Sequence, residues 1–280
     1  MKILIIGGTS SLGLALKEQF SKRNEVITAG RKNCDIIFDL NDAINNIVFP
    51  ENIDVVIHTA AHFGGKTASE MLEAESVNVL GTLKMCQAAA KVNTKHFILI
   101  SSIFALLDSH SKHYSAYTLT KKQSEEIAGL FCSSVSLPLA IIRPSQLYGN
   151  IPNFNLRQPF LNSILEKAER GEDVNIFGSL DAKINVIHLE DVVKIIERVA
   201  QQKIVGTFTC QNPQNISYKQ FAKTAYKVFE KNGKINFLTD KENIEDNIFK
   251  EDNLLYEKIN FYPKITLEAG LKGIVNYRKN

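Results

Sequence analysis

The stretch KILIIGGTSSLG, from Lys2 to Gly13, decides the fold class of this chain. A short apolar, β-branched run leads into a glycine-rich turn, and the apolar periodicity of a helix follows near Leu12–Phe20. A strand-to-helix turn leaves backbone N–H groups and the positive end of the helix dipole facing outward, and glycines let phosphate oxygens approach them. We therefore expect a pyrophosphate at this turn. The alternative is a tight turn in which Gly13 simply packs against the sheet.

The alternation of short strand, turn and amphipathic helix repeats through the first 150 residues. The predicted helices lie near Leu12–Phe20, Ala68–Val92 and Tyr114–Phe131, and the predicted strands are Lys2–Ile6, Val26–Ala29, Val55–His58, Phe97–Ser101 and Ala140–Arg143. Continuously apolar strands suit a parallel sheet that helices cover on both faces. The pattern predicts an α/β fold built on a Rossmann-like, doubly wound parallel sheet.

From about Asn150 the pattern loosens into turns with scattered elements. Helices are expected near Pro159–Arg170, Val192–Gln201 and Tyr218–Lys231, with a strand at Val174–Phe177. We expect residues 1–150, with returning segments of about 180–205, to form a dinucleotide-binding domain. Residues 151–280 are expected to form a smaller, interleaved, mixed α/β substrate-binding lobe.

Composition restricts the class of partner. The chain has 280 residues, 44% of them hydrophobic, which excludes a disordered protein. Its 33 Lys and Arg nearly balance 30 Asp and Glu, so no basic field exists to hold nucleic acid or an anionic membrane. The four cysteines lack zinc or redox spacing, which predicts reduced thiols in a cytoplasmic protein and no metal site. We also expect no secretory leader, because the first apolar run stops at Gly7, and no membrane span.

Two cations follow the second predicted strand, in the sequence Ala29-Gly30-Arg31-Lys32. A dinucleotide on the first turn would place its adenosine ribose near this strand end, where an acidic residue favours a free 2′-hydroxyl and cations favour a 2′-phosphate. The sequence therefore favours NADP(H), with NAD(H) possible. The alternative is that Arg31 and Lys32 are solvated turn charges.

A serine, a tyrosine and a lysine follow at the fourth strand and the next helix. Ser102 ends the strand, and Tyr117 and Lys121 are four residues apart, which places them on one helical face. A neighbouring ammonium lowers the pKa of a phenol toward the range useful for proton transfer. One such Tyr-x-x-x-Lys pair says little alone in a chain with eight tyrosines. Its meaning comes from its place after the glycine turn and the serine-bearing strand.

Further segments occur in an order that resembles the extended short-chain dehydrogenase/reductase family, the group of nucleotide-sugar epimerases, dehydratases and reductases. They are Asp39-Leu40, Ile57–Ala61 (IHTAA), Asn78–Thr82 (NVLGT), Arg143–Gly149 (RPSQLYG) and Val186–Val192 (VIHLEDV). The resemblance covers nearly the whole chain. It implies an enzyme in which Tyr117 is the general acid/base, Lys121 holds the nicotinamide ribose and Ser102 orients the substrate oxygen.

The resemblance also implies the binding residues. Those for the cofactor are Gly7, Thr9, Ser10, Ser11, Leu12, Gly13, Arg31, Asp39, Leu40, Ala60, Ala61, Asn78, Tyr117, Lys121 and Pro144. Those for the substrate are His62, Ser102, Ile103 and Gln146. Departures from the family pattern limit the reaction. Ile103 and Phe104 stand where dehydratases carry an Asp-Glu pair, so dehydration is not expected.

Three more departures concern binding. Ser10 replaces the middle glycine of the turn, Gln146 replaces an asparagine, and Ile184 stands where the family often has an arginine for a nucleotide diphosphate. The favoured function is NADP(H)-dependent reduction of a keto group on a nucleotide-linked deoxysugar. The alternatives are an NAD-dependent nucleotide-sugar 4-epimerase and a non-catalytic, cofactor-sensing binding protein. The resemblance favours a homodimer.

Overall fold

The computed structural model describes residues 1–150 and 158–279, which form two compact units. The first unit comprises Met1–Pro144, Val193–Cys210 and Asp252–Phe261, and the second comprises Ser145–Val192, Gln211–Glu251 and Tyr262–Asn280. The sequence predicts returning segments of about 180–205, and the segments grouped with the first unit are Val193–Cys210 and Asp252–Phe261. The predicted boundary at 150–151 adjoins residues 151–157, which lie outside the described residues.

The strands alternate with helices along the chain. The strands are β1 (Lys2–Ile6), β2 (Glu25–Gly30), β3 (Ile36–Ile37), β4 (Val55–His58), β5 (His96–Ile100), β6 (Leu139–Pro144), β7 (Gln146–Tyr148), β8 (Val174–Phe177), β9 (Lys183–Ile184), β10 (Val186–His188), β11 (Gly206–Cys210), β12 (Ile216–Ser217) and β13 (Ile235–Leu238). The helices are α1 (Ser11–Phe20), α2 (Ala68–Ala74), α3 (Gly81–Lys91), α4 (Ala116–Ser134), α5 (Pro159–Arg170), α6 (Leu189–Gln202), α7 (Tyr218–Phe229), α8 (Leu254–Ile259) and α9 (Leu267–Lys279). Short 3₁₀ segments span Ile44–Asn46 and Ile103–Leu106.

The first unit contains a parallel sheet whose described strands run in the order β11-β6-β5-β4-β1-β2-β3. The strand order reverses between β1 and β4, and in such sheets ligands bind at the carboxyl ends of the strands beside that reversal. The predicted doubly wound, Rossmann-like fold is confirmed.

The core of the first unit lies between the sheet and helices α3 and α4. Leu4, Val56 and Phe97 project from neighbouring strands into one hydrophobic cluster, where Met85 and Ala128 meet them from the helices. Because side chains alternate along a strand, Ile3 and Ile5 are buried on the opposite face. Each fully buried side chain of this size contributes about 1.5–3 kcal/mol of transfer free energy. The packing explains why these strands are apolar on both faces.

The helix predicted near Ala68–Val92 is interrupted. It consists of α2, a π-helical segment at Glu75–Leu80 and α3. Such π segments occur frequently at functional sites. Here the segment carries Asn78, whose side chain is bonded outside the helix. The spacing of apolar residues in the sequence does not show that the helix changes from α to π.

The second unit is mixed α/β, as predicted. Its described strands form three pairs, of which β7–β10 and β8–β13 are parallel and β9–β12 is antiparallel. Helices α5, α7 and α9 pack on them around Leu165, Phe221 and Leu271. The predicted bounds of α5 and β8 are confirmed. In the described residues, no helix is both long enough and apolar enough to cross a bilayer.

Candidate active site

The turn after β1 requires glycine for steric reasons. Gly7 has φ +84°, and a Cβ there would lie 2.6 Å from the backbone N of Ala60. At Gly13, a Cβ would lie 2.3 Å from the carbonyl oxygen of Gly7. The turn is therefore drawn tightly against β4 on one side and α1 on the other. This is the cradle that a pyrophosphate needs at a helix N-terminus.

Ser10 is the N-cap of α1, and its side chain points into the turn. Its Oγ accepts a hydrogen bond from Gly13 N at 3.0 Å and lies 3.0 Å from Thr59 Oγ1. The Ser10 side chain therefore caps α1 and bonds within the turn. Thr9 is exposed, Ser11 is half-buried and Leu12 is buried.

The segment after β2 carries two exposed cations and a carboxylate that is bonded to the protein. Arg31 and Lys32 are exposed. The Asp35 carboxylate accepts hydrogen bonds from Thr28 N at 2.8 Å and from Thr28 Oγ1 at 2.7 Å, and these bonds lower the pKa of Asp35. The Asp35–Thr28 contact, which holds the turn after β2 in place, has no signal in the sequence.

Asp39 and Leu40, which were both predicted to bind the cofactor, lie in different surroundings. The Asp39 carboxylate accepts from Asn41 N at 2.9 Å, whereas Leu40 is buried in the core with its Cβ against Gly81. Ala60 and Ala61 are half-buried directly after β4. The structure therefore gives Leu40 a packing role in addition to the predicted contact with the cofactor.

Lys121 is a buried cation on α4. Its Nζ donates to the Ile100 carbonyl oxygen at 2.7 Å, and the residue is only 3% exposed. Burial lowers the pKa of Lys121 to about 8, and the nearby Glu125 carboxylate partly opposes that effect. Because Ile100 ends β5, the bond fixes the face of α4 that carries Lys121 against the strand that leads to Ser102.

Tyr117 lies one turn before Lys121, in the first turn of α4. Ser115 caps this helix by accepting from Thr118 N. The Tyr117 ring stacks on Phe63, with centroids 5.3 Å apart and planes inclined by 13°. Sequence analysis missed Phe63, which is exposed and carries no periodic signal. Ser102 is buried, and its Oγ accepts a weak bond from Phe104 N at 3.3 Å.

Asn78 joins the loop after β4 to α4. Its Oδ1 accepts from His62 N at 2.7 Å, and its Nδ2 donates to His62 O at 2.8 Å and to Thr120 Oγ1 at 2.9 Å. The Asn78 amide is buried and fully engaged. It therefore positions the loop that carries His62 and Phe63 beside Tyr117.

The remaining predicted substrate residues lie in different surroundings. Ile103 is 1% exposed and belongs to the core. His62 is half-buried, its Nδ1 accepts from Gly64 N at 3.1 Å, and its Nε2 lies 3.6 Å from Glu73. Gln146 belongs to the second unit, where its Nε2 is 3.4 Å from Gln158 Oε1. Pro144 ends β6. Within residues 1–150 and 158–279, no group of three His, Cys, Asp or Glu side chains is placed to hold a metal ion.

The sheet order, the glycine turn at its reversal point and the Ser-Tyr-Lys set define a dinucleotide-binding oxidoreductase. Comparison with known proteins agrees. Residues 3–208 match the model of the NAD dependent epimerase/dehydratase family. The chain belongs to this family of enzymes, which confirms the predicted resemblance.

Individual relatives are distant. A UDP-glucose 4-epimerase from Vibrio cholerae is 29% identical over 171 residues, which span 52% of each chain, so this match covers about half of that relative. The crystal structure of UDP-glucose 4-epimerase with UDP-glucose from Thermotoga maritima superposes with a TM-score of 0.83 at 19% identity, covering 100% of this chain and 99% of that one. A UDP-N-acetylglucosamine 4-epimerase from Bacillus cereus gives 0.82 at 20% identity, with 100% and 97% covered.

Proposed function

We propose that this enzyme interconverts a hydroxyl and a keto group on the sugar of a nucleotide-linked substrate, using a bound nicotinamide cofactor. The observation that carries the proposal is the Tyr117–Lys121 turn of α4. There the buried Lys121 ammonium is bonded to the end of β5, next to Ser102.

The first unit fits the cofactor for steric and electrostatic reasons. The turn from Gly7 to Gly13 leaves no room for a Cβ at either glycine, and it leads into a helix of ten residues. Gly7, Thr9, Ser10, Ser11, Leu12 and Gly13 would hold the pyrophosphate, and Arg31, Asp39, Leu40, Ala60, Ala61, Asn78 and Pro144 would line the rest of the site. When bound, the nicotinamide supplies or accepts the hydride.

The chain's own residues handle the proton. Tyr117 gives a proton to the sugar oxygen during reduction and takes it back during oxidation. The Lys121 ammonium favours the phenolate form of Tyr117, because an opposite charge nearby stabilises the ionised group. Ser102 Oγ accepts from Phe104 N, which leaves its own proton available for the same sugar oxygen. His62 and Gln146 are proposed to contact the substrate.

Two reactions use this chemistry, and different observations favour them. The named relatives are 4-epimerases, which favours oxidation and reduction of one sugar carbon with NAD retained throughout. The exposed Arg31 and Lys32, together with the engaged Asp35 carboxylate, favour NADPH and hence net reduction of a keto sugar. A cytoplasmic homodimer remains part of the proposal.

One experiment separates these reactions. The purified enzyme is denatured and the released dinucleotide is identified by mass spectrometry. The protein is then assayed with UDP-glucose for UDP-galactose, and with a nucleotide-linked 4-keto-6-deoxysugar for NADPH oxidation. Bound NAD with UDP-galactose formation establishes the epimerase. Empty protein with NADPH consumption establishes the reductase. Cofactor binding without turnover of either substrate supports the cofactor-sensing alternative.

A further inference from the structure

A buried ionic cluster lies directly behind the Tyr117–Lys121 turn. Glu125 follows Lys121 by one helical turn, and its side chain is 6% exposed. Arg143 on β6 donates through Nε to Oε1 at 2.9 Å and to Oε2 at 3.0 Å, and its Nη2 also donates to Oε2. Ser101 Oγ donates to Oε1. One carboxylate therefore joins α4, β6 and the residue before Ser102.

The cluster reaches the proposed catalytic groups through the backbone. Three consecutive residues link the cluster to the proposed site. Ile100 accepts a hydrogen bond from Lys121, and Ser101 donates one to Glu125. Ser102 carries the hydroxyl that is proposed to contact the substrate. A shift of Glu125 relative to β5 would therefore change the separation between Ser102 and the helix that carries Tyr117. The carboxylate fixes that separation with hydrogen bonds that are charge-assisted and among the stronger kinds in proteins.

The same carboxylate opposes the loss of charge on Lys121. A buried ammonium tends to lose its proton, because low dielectric surroundings disfavour the charged form. The titratable groups that act on Lys121 are Glu125 on its own helix and His58 on β4. His58 is neutral, since burial and the Lys121 charge lower its pKa to about 3. Glu125 is thus the carboxylate that acts on Lys121, and the same carboxylate is paired with Arg143.

We propose that Glu125 is a positioning residue of the reaction, which acts on Lys121 from one helical turn away and holds the Ser101-Ser102 strand end against α4. This inference rests on the proposed function, because it assigns Glu125 to the acid/base pair of that reaction. The competing explanation is that the Glu125–Arg143 pair serves only the folding of the first unit.

The decisive variant is Glu125→Gln, which keeps the shape of the side chain and removes its charge. Lys121 then loses its proton at lower pH, so we expect the alkaline limb of the kcat profile to move down by about one pH unit. At pH 8 we expect kcat to fall by about fivefold while KM stays within about threefold, since a proton-transfer step is affected rather than binding. Glu126→Gln, at the exposed neighbouring position of α4, should leave both parameters unchanged.

Two further variants separate charge from folding. Glu125→Asp keeps the charge on a shorter side chain, so the alkaline limb should return toward that of the wild type even if the Tm falls. Glu125→Gln with Arg143→Gln removes both charges, and replacing a buried pair by neutral groups often costs little stability. We expect this double variant to recover Tm and to move the alkaline limb back toward that of the wild type, because the Arg143 cation is removed together with the Glu125 carboxylate. An alkaline limb that stays shifted after Tm has recovered would overturn the role of the Glu125 charge.

A readout without sugar separates failure of this inference from failure of the proposed function. The phenolate absorbance of Tyr117 at 295 nm is obtained as the difference between each protein and its Tyr117→Phe counterpart. We expect the phenolate to form at higher pH in Glu125→Gln than in the wild type, because Lys121 no longer carries its charge. If the titration shifts while no sugar is turned over, the proposed function fails and Glu125 keeps its role. An unchanged titration removes the role of Glu125, whatever the enzyme turns over.

Discussion

At the scale of single residues, the hydroxyl and the ring of Tyr117 have different roles. Its hydroxyl is proposed to move the proton, whereas its ring already packs on Phe63. Tyr117→Phe should therefore keep the fold and the cofactor affinity and lower kcat by about 10²- to 10⁴-fold, the usual range for a lost general acid/base. Steady-state kinetics and calorimetric titration of the cofactor test this. Tyr277→Phe, exposed in the second unit, is the control, and a Tyr117→Phe enzyme with unchanged kcat would contradict the assignment.

Cofactor preference is also decided by individual side chains. If Arg31 and Lys32 face a 2′-phosphate, replacing both with Ala should weaken NADPH binding by about tenfold or more, which corresponds to ~1.4 kcal/mol. NADH lacks that phosphate, so its affinity should stay constant and serves as the internal control. Parallel titrations of the two cofactors measure the ratio. An equal loss for both cofactors would show that these cations do not recognise the 2′-phosphate, and no loss for either would show that they are solvated turn charges.

At the scale of elements, two helices should respond in opposite ways to the same change. Gly129 lies inside α4, and a Cβ added there meets nothing within 4 Å. Gly129→Ala should therefore raise stability by about 0.5–1 kcal/mol, because alanine loses less backbone entropy than glycine. In α1, Gly13→Ala would place a Cβ 2.3 Å from the Gly7 carbonyl oxygen and should lower both Tm and cofactor affinity. Thermal melting of both variants is the measurement, and a destabilised Gly129→Ala would count against the described packing.

Some elements could be predicted from the sequence and others could not. β1, its turn and α1 were predictable because apolar runs, glycines and a helix start are local signals. β11 (Gly206–Cys210) was not predicted, because two of its five residues are threonines and it has no continuous apolar run. It forms an edge of the sheet. The Glu125 cluster was out of reach for another reason. Its partners Ser101 and Arg143 are 24 and 18 residues away on other elements, so only the sheet order brings them together.

At the scale of the whole molecule, the strand order assembles the proposed site. The Gly7 turn follows β1, the Ala60 and His62 segment follows β4, and Ser102 follows β5, so neighbouring parallel strands deliver all three to one edge of the sheet. The motifs alone, read along the chain, do not show this adjacency. It follows from the rule that parallel strands joined by helical crossovers end on the same side.

The stability of the first unit at acidic pH should depend on His58. This residue ends β4, at the edge of the sheet where the proposed site lies. His58 is 1% exposed, its Nε2 lies 3.2 Å from Thr82 Oγ1, and burial lowers its pKa from 6.5 to about 3. Between these values the unfolded chain binds a proton that the folded chain does not, so stability falls as pH decreases from about 6.5 toward 3. The limiting slope for one proton is about 1.4 kcal/mol per pH unit.

His58→Gln removes this titration while keeping a polar group near Thr82. We expect the Tm of the wild type to fall more steeply between pH 7 and pH 5 than the Tm of the variant, because carboxylates titrate equally in both proteins and cancel in the comparison. His110→Gln, at an exposed position in the same unit, should show the wild-type slope. Thermal melts at closely spaced pH values give the three curves. Parallel curves for the wild type and His58→Gln would mean that His58 accepts its proton in the folded state, and hence that the interior beside Lys121 is open to water.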